Sequence, residues 1–148
     1  MTRIAVIGAG SWGTAVGAIA AVNADAVLWA RDPVVADRIN REHTNPDYLP
    51  DIALPDALHA TSDLAAACTG ADVVVMGVPS HGFRSVLETA APAISADVPV
   101  LSLSKGVEQG TLLRMTEVIA DVLVNHRVDR IGVLTGPNLA REVAQGGC

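Results

Sequence analysis

A short strand-like run, Arg3-Ile-Ala-Val-Ile7, ends directly on Gly8-Ala-Gly10-Ser11-Trp12-Gly13, and a segment rich in Ala and Gly with helical character follows at once. Glycines at this spacing between a strand and a helix tightly limit the backbone path. Gly8 permits a tight turn, Gly10 lets backbone come close to a bulky group, and Gly13 lets the helix pack against the strand. A helix that opens here also presents unpaired N–H groups and the positive end of its dipole. That combination binds phosphate. In a first strand-turn-helix unit it reads as the pyrophosphate site of a dinucleotide-binding fold.

Downstream, apolar runs alternate with longer helical stretches. Strands are predicted at residues 3–7, 26–30, 58–61, 72–78, 98–103 and 131–134. Helices are predicted at 14–22, 80–91, 111–124 and from 138 onward. Val73-Val-Val-Met76 is continuous rather than alternating, which implies burial on both faces, as in a parallel sheet. Leu112, Met115, Ile119 and Val122 should form the inner stripe of the helix at 111–124. Right-handed crossovers then give an α/β fold with a doubly wound, mostly parallel (Rossmann) sheet, a single dinucleotide-binding domain over residues 1–148. Only 3% of residues are aromatic, so the core must be built from Val, Ile, Leu and Ala. Residues 40–57, with Pro46, Pro50 and Pro55, are the one long irregular stretch, and such loops often border sites.

Charge and composition remove several classes of function. A formal net charge of -6 opposes binding to nucleic acid or to anionic membrane surfaces. Cys68 and Cys148 are too few for a disulfide framework, and no Cys/His spacing calls for a metal. No apolar run approaches the ~18 residues of a membrane span, and the first is too short for a secretion signal, so a cytoplasmic protein is expected. Ser102 and Ser104 have no His and Asp spaced to form a hydrolytic triad.

The end of the second strand bears on which dinucleotide is bound. NAD sites usually place an acid there for the ribose 2′-hydroxyl. Here the run is Val27-Leu-Trp-Ala-Arg31-Asp32, with Ala30 at the acid's usual position and Arg31 after it. A guanidinium pairs with a 2′-phosphate, so NADP is preferred; a one-residue shift would aim Asp32 at the ribose and keeps NAD open. Later strands end in Val78-Pro-Ser80, Ser104-Lys-Gly106 and Thr135-Gly-Pro-Asn138, and these turns should face one crevice. Lys105 is the most informative of them, a cation able to reach a phosphate or carbonyl oxygen. Trp12 calls for a ligand or a covering loop, His81 follows the Pro79-Ser80 turn, and Phe83 reads equally as core or as a shield for the cofactor.

Five strings occur in order: Gly8-Ala-Gly-Ser-Trp-Gly-Thr-Ala15, Asn45-Pro-Asp-Tyr-Leu-Pro50, Val78-Pro-Ser80, Leu103-Ser-Lys-Gly-Val-Glu108 and Leu134-Thr-Gly-Pro-Asn-Leu-Ala140. Together they resemble the bacterial NAD(P)-dependent glycerol-3-phosphate dehydrogenases, along the whole chain. The resemblance implies reversible hydride transfer between NAD(P)H and dihydroxyacetone phosphate, giving sn-glycerol 3-phosphate for phospholipid synthesis. It implies cofactor contacts at Ser11, Trp12, Arg31, Lys105 and Ala140, beside the fingerprint glycines Gly8, Gly10 and Gly13. It places a phosphorylated substrate at Lys105, Gly136 and Asn138, the last a position where the family more often has Ser or Thr. The family's proton-transfer lysine and phosphate-holding residues belong to a C-terminal helical domain that is expected to be absent here. No catalytic residue is therefore assigned, the fragment is expected to be inactive alone, and a homodimer is expected of the full-length protein. The competing readings are another two-domain NADP dehydrogenase, of ketopantoate reductase or 6-phosphogluconate type, and a stand-alone nucleotide-binding module.

Overall fold

The computed structural model describes residues 1–136 and 139–146. Its strands are β1 (Arg3–Ile7), β2 (Asp25–Trp29), β3 (His59–Thr61), β4 (Val73–Met76), β5 (Val100–Ser102) and β6 (Ile131–Val133). They form a six-stranded sheet in the order β3-β2-β1-β4-β5-β6, every pairing parallel. The order reverses between β1 and β4, and this switch point is where open α/β sheets bind ligands.

The helices are α1 (Ser11–Ala21), α2 (Pro33–Glu42), α3 (Leu64–Cys68), α4 (Ser80–Ala90), α5 (Met115–Val122) and α6 (Ala140–Ala144). Along β1 and β4 alternate residues go to opposite cores. Ala5, Ile7, Val74 and Met76 join Phe83, Leu87 and Ile119 from α4 and α5. Val6, Val75 and Leu28 join Ala18, Ala36 and Ile39 from α1 and α2. The continuous apolar run is thus buried on both sides, as its pattern required. Phe83 is 0% exposed, which makes it a core residue rather than a shield. Among the described residues, no helix is long and apolar enough to cross a membrane.

Two helices lie where the sequence pattern predicted none. In α2 only Ala36 and Ile39 are buried, too narrow a stripe to announce itself, and α3 has only five residues. Both are fixed at their starts by capping aspartates. Asp32 accepts from the N–H of Val34 at 2.9 Å, and Asp63 from that of Ala66 at 2.9 Å. α1 begins at Ser11 rather than at residue 14, directly on the fingerprint.

The Leu112 expectation is corrected. Residues 107–114 double back in a turn, closed by a bridge between Val107 and Arg114 and by Glu108 N–H donating to the Leu113 carbonyl at 2.8 Å. Leu112 therefore lies outside α5, 73% exposed and with φ at 61°. The helix starts only after Arg114, whose N–H donates to Glu117 at 2.8 Å in a capping box.

The sheet's outer strand β3 is met by a side chain. Asn40 of α2 donates to the Ala60 carbonyl and accepts from the Ala60 N–H, both at 2.8 Å.

Candidate functional site

Strands β1, β2, β4, β5 and β6 carry their ladders one residue past their ends. Gly8 N–H donates to the Trp29 carbonyl at 3.1 Å, Gly77 to Ile7 at 2.7 Å, and Leu103 to Met76 at 2.9 Å. This brings the turns after β1, β2, β4 and β5 to a common edge.

Gly8 adopts φ of 119°, and a Cβ there would lie 2.8 Å from the Gly77 carbonyl oxygen across the switch point. At Gly13 a Cβ would lie 1.8 Å from the Gly8 carbonyl oxygen, so helix and turn meet backbone to backbone. Gly10 differs: a Cβ there would meet nothing within 4 Å. The space in front of it is open, which is what close approach of a ligand demands. Gly10 is also the N-cap of α1 and provides no side-chain cap. Among the described residues, the N–H groups of Gly10, Ser11 and Trp12 have no backbone acceptor outside the helix, and the first turn of a helix supplies none within it. The N-terminus of α1 therefore offers a row of free donors.

These donors open onto a cleft of about 1030 Å³. The fingerprint residues Gly8, Gly10, Ser11 and Trp12 line it, together with Arg31 and Asp32 after β2, Ser80 to Gly82 at the start of α4, and Ser104 and Lys105 after β5. A second, more apolar cavity of about 300 Å³ adjoins it, lined by Trp12, Val16, Leu103, Lys105, Leu134 and Gly136 among others. Trp12 and Lys105 face both spaces. The turns after β4 and β5 border the larger cleft, and residues 134–136 after β6 border the smaller cavity instead, so the three turns are divided between two spaces that Lys105 lines in common.

The remaining predicted residues are distributed as follows. Gly13 is buried behind the cleft and packs the turn. Ala140 lines neither space; it packs with Ala144 against a cluster of Ala15, Leu49 and Ile52. Asn138 lies outside the described residues. Of the histidines, His81 reaches the cleft wall, whereas His126 contacts the Val98 carbonyl at 2.7 Å and His43 approaches Asp56 at 3.7 Å. Among the described residues no cluster of His, Cys, Asp and Glu could hold a metal ion.

Sequence reasoning did not single out Gly82 and Ser85 of α4, nor Tyr48, all of which line the cleft. Tyr48 lies in the loop after α2, where its carbonyl accepts from Ser11 Oγ at 2.8 Å. The signal available was the Asn45-to-Pro50 string, without any means of placing it in space.

Asp32 and Arg31 part company here. The Asp32 carboxylate is engaged as the cap of α2, whereas Arg31 is exposed at the cleft. One Arg31 guanidinium nitrogen lies 4.0 Å from where a Cβ on Gly82 would stand, so its charge sits opposite the start of α4.

The family described as NAD-dependent glycerol-3-phosphate dehydrogenase N-terminus matches residues 3–148. A glycerol-3-phosphate dehydrogenase [NAD(P)+] of Sphingopyxis alaskensis is 56% identical over 97% of the chain, and one of Mycobacterium avium is 50% identical over 97%. The chain spans 42% of the length of each. A crystal structure of glycerol-3-phosphate dehydrogenase from Coxiella burnetii superposes with a TM-score of 0.84 at 34% identity, over 97% of this chain and 43% of that one.

Proposed function

Because the chain belongs to the family of NAD-dependent glycerol-3-phosphate dehydrogenase N-terminal domains, we propose that it is the cofactor-binding part of an oxidoreductase interconverting dihydroxyacetone phosphate and sn-glycerol 3-phosphate. The observation that carries this reading is the uncapped N-terminus of α1, with open space at Gly10, facing a cleft at the switch point of the sheet. Free N–H donors and a positive dipole end suit the pyrophosphate of NAD(P).

When bound, the nicotinamide supplies or takes up the hydride. The chain's own residues do the rest of what this part contributes. Gly8, Gly10, Ser11 and Trp12 receive the pyrophosphate, and Gly13 lets them come close. Arg31 meets the adenosine end and favours NADP(H) by pairing with a 2′-phosphate; its exposed guanidinium at the cleft supports that preference. Lys105, between the two cavities, offers a positive charge to the substrate's phosphate or to oxygen where negative charge develops. Gly136 lines the smaller cavity and belongs to the substrate side; family likeness alone assigns Asn138 to the substrate and Ala140 to the cofactor. The same reading extends to a cytoplasmic location and a homodimeric full-length protein. The match over residues 3–148 favours it over the ketopantoate reductase or 6-phosphogluconate alternative.

The test joins this chain to the remaining C-terminal part of the Sphingopyxis alaskensis relative and assays the chimera with dihydroxyacetone phosphate, ketopantoate and 6-phosphogluconate. Turnover of dihydroxyacetone phosphate, lost in Lys105→Ala, is the expected result. Preference for either other substrate would overturn the reading.

A further inference from the structure

Asn45 stands behind the glycine turn rather than in the cleft. It is 1% exposed and lines neither cavity. Its Nδ2 donates to the Ala9 carbonyl and to Thr14 Oγ1, each at 2.9 Å. An amide N–H buried without a partner is costly, so these two bonds favour the observed position of Nδ2, while the buried Oδ1 has no hydrogen-bond partner among the described residues. The loop that carries it is fixed as well. Asn45 bridges to Leu49, and Leu49 packs with Ile52 on Ala15 of α1.

The consequence lies in the peptide that joins Ala9 to Gly10. It is trans, so its carbonyl and its N–H point in opposite directions. Drawing the Ala9 carbonyl inward to Asn45 turns the Gly10 N–H outward, on the side of the cleft. No other anchor does this among the described residues: Thr14 N–H goes to the Gly10 carbonyl at 2.9 Å, and no backbone N–H outside a helix goes to Ala9. Rotation of this peptide turns about Ala9 ψ and Gly10 φ, and a glycine leaves the second of these free to change.

We propose that Asn45 is a positioning residue for dinucleotide binding: by holding the Ala9 carbonyl it fixes the peptide whose Gly10 N–H meets the pyrophosphate. This rests on the dinucleotide reading above. It differs from a merely structural pairing of Asn45 with Thr14, which would stabilise the core without orienting the turn.

Three variants of the 148-residue chain separate the two roles. Asn45→Ala removes the amide, Asn45→Asp keeps its shape without the N–H donors, and Thr14→Val leaves the bond to Ala9 intact. Calorimetric titration compares ADP-ribose, which contains the pyrophosphate, with 2′-AMP, which does not. Both Asn45 variants should weaken ADP-ribose binding at least about tenfold while changing 2′-AMP less than about twofold; Thr14→Val should leave both nearly unchanged. Crystal structures of whichever variants fold should show the Ala9–Gly10 peptide turned or split in the Asn45 variants alone. Equal losses for both ligands, or an Ala9–Gly10 peptide unmoved in the Asn45 variants, would overturn the proposal. A wild-type chain that ignored ADP-ribose would instead remove the dinucleotide reading, and the peptide's orientation in the crystals would still decide what Asn45 does.

Discussion

Arg84 of α4 grips Glu108 with two hydrogen bonds, from Nε at 2.7 Å and from Nη2 at 3.0 Å. Its remaining arm reaches Asp121 of α5 at 2.7 Å. The side chains of Arg84 and Glu108 are only 27% and 15% exposed, and the contact is bidentate, so this pair is better shielded and better oriented than an ordinary surface bridge. Glu108 lies three residues after Lys105. The pair therefore ties the turn that carries the cleft's lysine to α4, whose first residues line the same cleft.

Acid should expose this tether. Hydrogen bonding to Arg84, and then to the Thr111 hydroxyl, holds the Glu108 carboxyl at about 2, below its ordinary 4.5. A depressed native pKa means that the stabilisation is complete above about pH 4.5 and is lost as pH falls toward 2. Glu108→Gln should lower stability at neutral pH and flatten the loss over that acid range. Urea midpoints of both proteins across the range measure it; parallel curves would show that the pair contributes no stability.

The fingerprint glycines should separate into two classes. Gly13→Ala forces a Cβ against the Gly8 carbonyl, a backbone atom that cannot step aside, and should cost about 3 kcal/mol. Gly10→Val fills open space and should change stability by no more than about 1 kcal/mol, yet abolish NAD(P)H binding. Thermal unfolding and fluorescence titration of the two variants check both halves. Normal binding by a folded Gly10→Val protein would mean that the open space is not a ligand's.

Cofactor choice should depend on Arg31. Loss of a charge-assisted bond to a 2′-phosphate is worth roughly 1.5–3 kcal/mol, about ten- to hundredfold in affinity. Arg31→Ala should lose that factor for NADPH and little for NADH. Titration of both cofactors against both proteins decides, and an equal loss for the two would assign Arg31 no part in the preference.

Those features that depend on periodicity or on glycine were legible in the sequence. Val73 to Met76 announced a strand buried on both sides, and the Gly8-to-Gly13 spacing announced the turn, because sterics leave few alternatives. α2 was hidden because its start is written in a side-chain cap, Asp32 before Pro33, rather than in an apolar stripe. Asp32 was weighed as a ribose ligand, and its second task, accepting from the Val34 N–H through one carboxylate oxygen, went unread. Asn45 and Tyr48 were out of reach for another reason. Their roles arise from contacts across 36 and 37 residues, to Ala9 and Ser11, and no local pattern encodes such a distance.

Leu112 offers the opposite kind of test. It is exposed, leaves its side chain without packing, and holds a left-handed backbone that costs an L-residue roughly 1–2 kcal/mol. Leu112→Gly removes that cost while adding the chain entropy of glycine, for a net gain of about 0.5–1 kcal/mol. A rise in the urea midpoint at unchanged slope is the expected result.

Asn40 gives the sheet a direction of growth. Because the peptide groups of successive strand residues face opposite sides, those of His59 and Thr61 turn toward β2, and Ala60 alone presents its N–H and carbonyl outward. Asn40 occupies both, so no hydrogen-bonding position is left on β3 for an incoming chain. At the opposite end, β6 turns Leu134 N–H to Ser102, which leaves Ile131 and Val133 facing away. Open ladder positions for a further strand lie beyond β6, on the side where Leu134 and Gly136 line the smaller cavity.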